Sequence, residues 1–125
     1  MKKKAEFRVV ADGVEGFFVR AREHARKLDK GEELAPEIIV SFENPADMIR
    51  VLSGERIRLL KMAKKPSPVA ELANSLKRDT RAVSRDINFL KNFGLLHSRY
   101  VANPGHGKRR VVSARAAKYQ LVANI

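Results

Sequence analysis

The run Thr80-Arg-Ala-Val-Ser-Arg-Asp-Ile-Asn-Phe-Leu-Lys-Asn92 holds the residues best suited to specific chemistry. At about 100° per residue, Val83, Ile87 and Leu90 share one helix face, while Arg81, Arg85, Asn88 and Asn92 share the opposite one with Ser84 at its margin. These side chains fit a DNA major groove: Arg bonds bidentately to guanine O6 and N7, Asn to adenine N6 and N7, and Ser to base or phosphate. A helix entering the groove shows its early residues to base edges. Arg81, Ser84 and Arg85 are therefore the first candidates and Asn88 the next, with Thr80 in the same set and Asn92 too far along to reach a base. Taken alone, the pattern equally describes a solvated helix face. A preceding helix and tight turn, a scarcity of acidic residues and a basic hairpin downstream favour the groove reading. Asp86 runs against it, and is expected to pair with a neighbouring Arg or Lys.

The second candidate set is His106, Lys108, Arg109 and Arg110, at the tip of a glycine-containing turn. Such a loop approaches a phosphate backbone closely, and its cations neutralise phosphate charge. Lys65 and Arg78, with Lys64 and Lys77, are further phosphate candidates, although each alone reads equally well as surface. Gly105-His106-Gly107-Lys108 is not a nucleotide loop, because Ala102 stands where the first glycine belongs and Arg109 where Ser or Thr belongs. His24, His97 and His106 are far apart and lack Cys or clustered carboxylates beside them. No nucleophile, base and orienting acid can be assembled by spacing. We expect no enzyme, no cofactor and no metal.

Several elements must position these groups. Ser53 caps a helix to Ala63 with Ile57, Leu60 and Ala63 inward, and Lys64-Lys65-Pro66 ends it. Ser67 as N-cap and Pro68 at the first helical position open the next, where Val69, Leu72, Ala73 and Leu76 follow helical spacing. Lys77-Arg78 makes the turn, Asp79 caps the helix from Thr80 to about Asn92, and Gly94 terminates it. Leu95–Val101 and Arg110–Ser113 then read as strands joined by a turn at residues 103–107. Helix, turn, helix and hairpin result.

The amino-terminal half reads strand (Phe7–Val10), helix (Val14–Leu28, closed by Gly31), strand (Glu37–Phe42) and a short helix opened by Asn44-Pro45. In the long helix Phe18, Ala21, Ala25 and Leu28 form an apolar stripe. Two strands alone are marginal, so they are expected to pair with a second copy, a partner, or a strand from the other half. Tyr119, Leu121 and Val122 could supply one.

The net charge of +12 is unevenly spread. Residues 1–52 hold ten Lys/Arg against ten Asp/Glu, whereas 53–125 hold sixteen against four. This asymmetry suggests a neutral dimerisation or partner-binding region at 1–52 joined to a polyanion-binding domain at 53–125. Cysteine is absent, so neither disulfides nor thiolate sites support the fold. Apolar runs stop at three residues, as in Phe17-Phe18-Val19, which argues against a membrane span or signal segment and for the cytoplasm.

The stretch from Pro68 to Leu96 resembles the helix-turn-helix core of MarR-like and ArsR-like winged-helix transcriptional regulators. With Ser41-Phe42-Glu43-Asn44 and the helix after it, the chain resembles a family of short prokaryotic regulators often encoded beside a TumE-type toxin. The resemblance implies an α+β winged helix-turn-helix of three helices and a hairpin wing, with a small strand-helix-strand appendage. It also implies a homodimeric repressor or autoregulator on double-stranded DNA, or an antitoxin whose neutral half holds a toxin. Structured RNA is a further alternative, and the sparse aromatic set of the basic half argues against single strands.

Overall fold

The computed structural model describes residues 6–32 and 37–123. The chain divides into two compact units, one formed by Met1–Val51 with Ala116–Ile125, the other by Leu52–Arg115. The second unit thus ends at Arg115 rather than running to 125, because the last strand leaves it for the first.

The first unit holds β1 (Glu6–Ala11), α1 (Gly13–Asp29), β2 (Glu37–Ser41), α2 (Pro45–Val51) and, from the far end of the chain, β6 (Tyr119–Ala123). The appendage is therefore more than strand-helix-strand: β1 lies between β2 and β6, and both pairings are parallel. Val9 opposes Val40 on one side and Leu121 on the other. Successive strand residues point to opposite faces, and Val9, Val10 and Ala11 are all buried, as in the central strand of a parallel sheet. Asn44 Oδ1 accepts from the Asp47 amide at 2.9 Å to start α2, whose Met48 and Val51 are buried. In α1 the side chain of Asp12 pairs with Arg20 instead of capping the helix. The Asp12 carboxylate occupies the space that a Cβ on Gly16 would need, which accounts for a glycine inside this helix.

The second unit comprises α3 (Gly54–Met62), β3 (Ser67–Pro68), α4 (Val69–Leu76), α5 (Thr80–Asn92), β4 (Leu96–Ala102) and β5 (Lys108–Ala114). Its core is Leu59, Leu60 and Ala63 of α3 and the residue after it, Val69, Leu72, Ala73 and Leu76 of α4, Val83, Ile87 and Leu90 of α5, with Leu95, Leu96 and Val112. Leu60 and Ala63 are buried as expected, but Leu59 is fully buried and Ile57 only half so, which puts Leu59 in the place expected of Ile57. Ser53 Oγ does accept from the Arg56 amide, at 3.4 Å.

The start of α4 also differs from expectation. Ser67 is not the N-cap and Pro68 is not the first helical residue; both are extended and pair antiparallel with Val112 and Val111. Ser67 Oγ donates to the Lys65 carbonyl at 2.9 Å, which takes it away from the helix end. The gain is a third strand for the hairpin, in the order β3-β5-β4. Between α4 and α5, Lys77 takes a left-handed conformation (φ 53°) and the Arg78 amide bonds back to the Ala73 carbonyl at 3.0 Å. Gly94, at φ 77°, ends α5 as the Leu95 amide returns to the Leu90 carbonyl at 2.9 Å.

Two outcomes are expected. Gly94→Ala places a Cβ at positive φ and should lower stability to urea by about 1 kcal/mol or more. A fragment ending at Leu52 lacks β6, leaving two strands, and should show no cooperative thermal transition by circular dichroism.

Candidate nucleic-acid interface

The orientation of α5 is fixed from both ends and from below. Asp79 accepts from the Arg81 amide at 3.4 Å as N-cap, and Val83, Ile87 and Leu90 are completely buried. Asp86 sits at the edge of that buried face. Its carboxylate takes Arg78 Nη1 at 2.7 Å and Arg56 Nε at 3.2 Å, so that one acid joins α3, the turn and α5. The Arg56 guanidinium also lies 3.9 Å above the Phe89 ring, a cation–π contact. Glu55 adds an ion pair to Arg78 at 3.6 Å. The hydrogen bond that Arg78 donates to Asp86 raises the Arg78 pKa above its ordinary value, outweighing desolvation, with the Asp86 and Glu55 charges adding to it. A raised pKa on a cation means its stabilisation is complete below the ordinary value and lost only as pH climbs through the raised one. The Arg78 guanidinium therefore stays charged at any working pH.

With the core face so pinned, the opposite face is free. Arg81, Arg85, Asn88 and Asn92 are exposed and Ser84 is half-buried, as the helical phase required. Thr80, Arg81, Ser84 and Arg85 line one open concavity of about 660 Å³ with Asp79 at the head of the helix. Asn88 lies outside that group.

The wing is a hairpin in which Ala102 pairs with Lys108 and Leu96 with Ala114. Its turn closes with the Asn103 amide on the Gly107 carbonyl at 2.7 Å and the His106 amide on the Asn103 carbonyl at 2.8 Å. His106, Lys108 and Arg109 are exposed at the tip; Arg110 is half-buried, its Nε without a partner. Arg109 and Arg110 line a second concavity, of about 330 Å³, with Asn103 and with Pro68, Val69, Ala70 and Glu71. Lys64, Lys65 and Lys77 are exposed. Arg78 differs in kind from these, since its guanidinium is engaged by Asp86 and Glu55.

Sequence reasoning missed Arg99 and Tyr100, which stand exposed on β4 opposite Val111 and Arg110. It also missed Arg56, whose role depends on a contact thirty positions away. Among the described residues no cluster of His, Cys, Asp or Glu could hold a metal ion, and no helix is long and apolar enough to cross a membrane.

Three helices, a tight turn and a three-stranded sheet with a basic hairpin make this unit a winged helix-turn-helix. The HVO_A0114 family model matches residues 51–116, just over half of the chain, and the chain belongs to the HVO_A0114 family. A comparison with curated proteins yields no match. Among solved structures, similar chains include a possible transcriptional regulator from Methanosarcina mazei, at 18% identity and a TM-score of 0.47, covering 54% of this chain and 61% of that one. Another is the homodimeric winged helix-turn-helix DNA-binding domain of a possible ArsR-family regulator from Mycobacterium bovis, at 20% identity and a TM-score of 0.45, covering 57% and 63%. A third is reduced HlyU from Vibrio cholerae, at 15% identity and a TM-score of 0.47, covering 76% and 79%. The chain spans about three fifths of the length of the first two.

Removing the acid at the centre of α5 tests this geometry. Asp86→Ala leaves Arg56 and Arg78 without their carboxylate and should cost about 1.5 to 3 kcal/mol in urea unfolding.

Proposed function

We propose that this protein is a sequence-reading regulator of transcription that binds duplex DNA with α5 in the major groove and the wing on the phosphate backbone. The observation that carries this reading is the set of Thr80, Arg81, Ser84 and Arg85 around one concavity at the start of α5, held outward by a buried opposite face. Arg81 and Arg85 supply forked donors for guanine, Ser84 and Thr80 hydroxyls for base or phosphate, and Asn88 an amide further along the groove. His106, Lys108, Arg109 and Arg110 contact phosphates from the wing, with Lys65 assisting. Arg78 contributes by holding α5 in register and adds positive potential at the turn.

The role we infer is that of a homodimeric repressor or autoregulator working in the cytoplasm on its own promoter. An antitoxin-like role for the first unit has one observation in its favour: α1 buries none of its residues, leaving a surface for a protein partner.

The deciding experiment is binding of the purified protein to its own upstream DNA and to a scrambled duplex across a salt series, with duplex RNA as competitor. Preference for its own DNA at every salt supports the proposal; equal and steeply salt-dependent binding to both duplexes overturns it. Arg85→Ala should cost about 1 to 3 kcal/mol and relax preference at one base position, whereas uniform weakening would make Arg85 a phosphate contact. Lys108→Ala should weaken all sequences alike and lower the salt slope by roughly one unit.

A further inference from the structure

The two sides of the wing differ in what they carry. In an antiparallel pair, directly opposed residues share a side, and successive residues of a strand alternate between sides. Leu96 opposite Ala114 and Ser98 opposite Val112 therefore lie on one side. Leu96 and Val112 are buried, and α5 packs on β4 and α4 on β5, so this is the side that faces the helices. Towards the tip it continues as Tyr100 opposite Arg110 and Ala102 opposite Lys108. The other side carries His97, Arg99 and Val101 of β4, with Arg109 of β5 next to the turn.

On the helix side, then, Tyr100 has Arg110 directly across and Lys108 diagonally beyond it, and Ala102 is too small to screen the ring. Tyr100 is 67% exposed, against 36% for Phe93, while Phe89 is half-buried. A ring kept for packing is covered by its neighbours; this one is left bare among cations. No acidic residue shares this side of β4 or β5. That charge selects an anionic polymer as what covers the ring, rather than an apolar protein surface. Tyrosine also has the two properties that a nucleic-acid backbone asks for, an apolar ring for the sugar and a polar tip for the phosphate.

We propose that Tyr100 is a DNA-backbone contact of the wing, its ring lying against a deoxyribose and its hydroxyl donating to a phosphate oxygen that Lys108 and Arg110 flank. This rests on the reading of the second unit as a duplex-DNA binder and adds a residue to that site. Sugar and phosphate carry no sequence information, so Tyr100 contributes affinity and leaves the choice of sequence to α5.

The full-length protein serves for the test, with its own upstream duplex and the scrambled duplex as ligands across a salt series. Tyr100→Ala should weaken binding to both about tenfold, and Tyr100→Phe, which keeps the ring and loses the hydroxyl, about threefold. Neither should change the salt slope, because a neutral side chain displaces no counterion. His97→Ala, on the other side of the same strand, should bind as the wild type does. Circular dichroism of each variant checks that the fold is retained. A second measurement leaves Tyr100 in place. The chain has no tryptophan and two tyrosines, so in Tyr119→Phe the emission comes from Tyr100 alone. Acrylamide, a neutral quencher, should reach Tyr100 freely in the unbound protein and much less once DNA is bound.

Unchanged affinity of Tyr100→Ala overturns the proposal, as does a Tyr100 equally open to acrylamide with and without DNA. If the wild type still selected its own upstream duplex, the DNA reading would stand without this contact. A Tyr100 protected equally by both duplexes, in a wild type that prefers neither, would keep the contact and overturn the sequence-reading role.

Discussion

The carboxylate of Asp86 is the constraint on which the second unit turns. The roll of α5 matters as much as its position, because a rotation of one residue's angle would swing Arg85 off the exposed face. The apolar contacts of Val83, Ile87 and Leu90 fix the depth of α5. Such contacts are not directional. Asp86 adds direction, because its two oxygens accept from Arg56 on α3 and Arg78 in the turn, and Arg56 also stacks on Phe89 one turn further along. An acid among the cations of α5 is thereby explained by the side it faces.

The same arrangement shapes the electrostatics. The basic half of the chain contains just four acidic residues, Glu55, Glu71, Asp79 and Asp86. Asp79 is bound to the amide end of α5, and Glu55 and Asp86 hold arginines. Acids used for construction are neutralised locally, so the remaining field is set by cations at the helix start and on the wing. Arg78 shows that not every cation in a basic domain is available to a ligand. Its hydrogen bond to Asp86 makes it part of the frame.

Much of this was legible in the sequence, and the misses have physical reasons. The phase of α5 follows from Val83, Ile87 and Leu90, whose spacing admits one buried face, and Asp79 and Gly94 are strong local signals for its ends. Local signals failed at Ser67-Pro68, where a serine followed by proline has the chemistry of a helix start. Pairing with Val111 and Val112, more than forty positions away, made it a strand instead. Ile57 and Leu59 were confused because a nine-residue helix leaves the apolar phase open until its neighbours are known. In the first half, nothing local distinguishes a strand that pairs with a second molecule from one that pairs with the chain's own end.

That last ambiguity bears on how the two halves divide their tasks. By taking β6 into its sheet, the first unit closes the pairing need of β1 within the chain, and an intermolecular strand is not required to complete it. The strand pairing that seemed to call for a partner is satisfied; the helix that seemed merely amphipathic is not. Phe17, Phe18 and Leu28 of α1 are exposed, whereas Val9, Val10 and Ala11 of the central strand are buried. A contact made through a helix surface would leave the backbone of the sheet undisturbed, so that association and folding of this unit could be separated. A contact through sheet edges would have tied the two together.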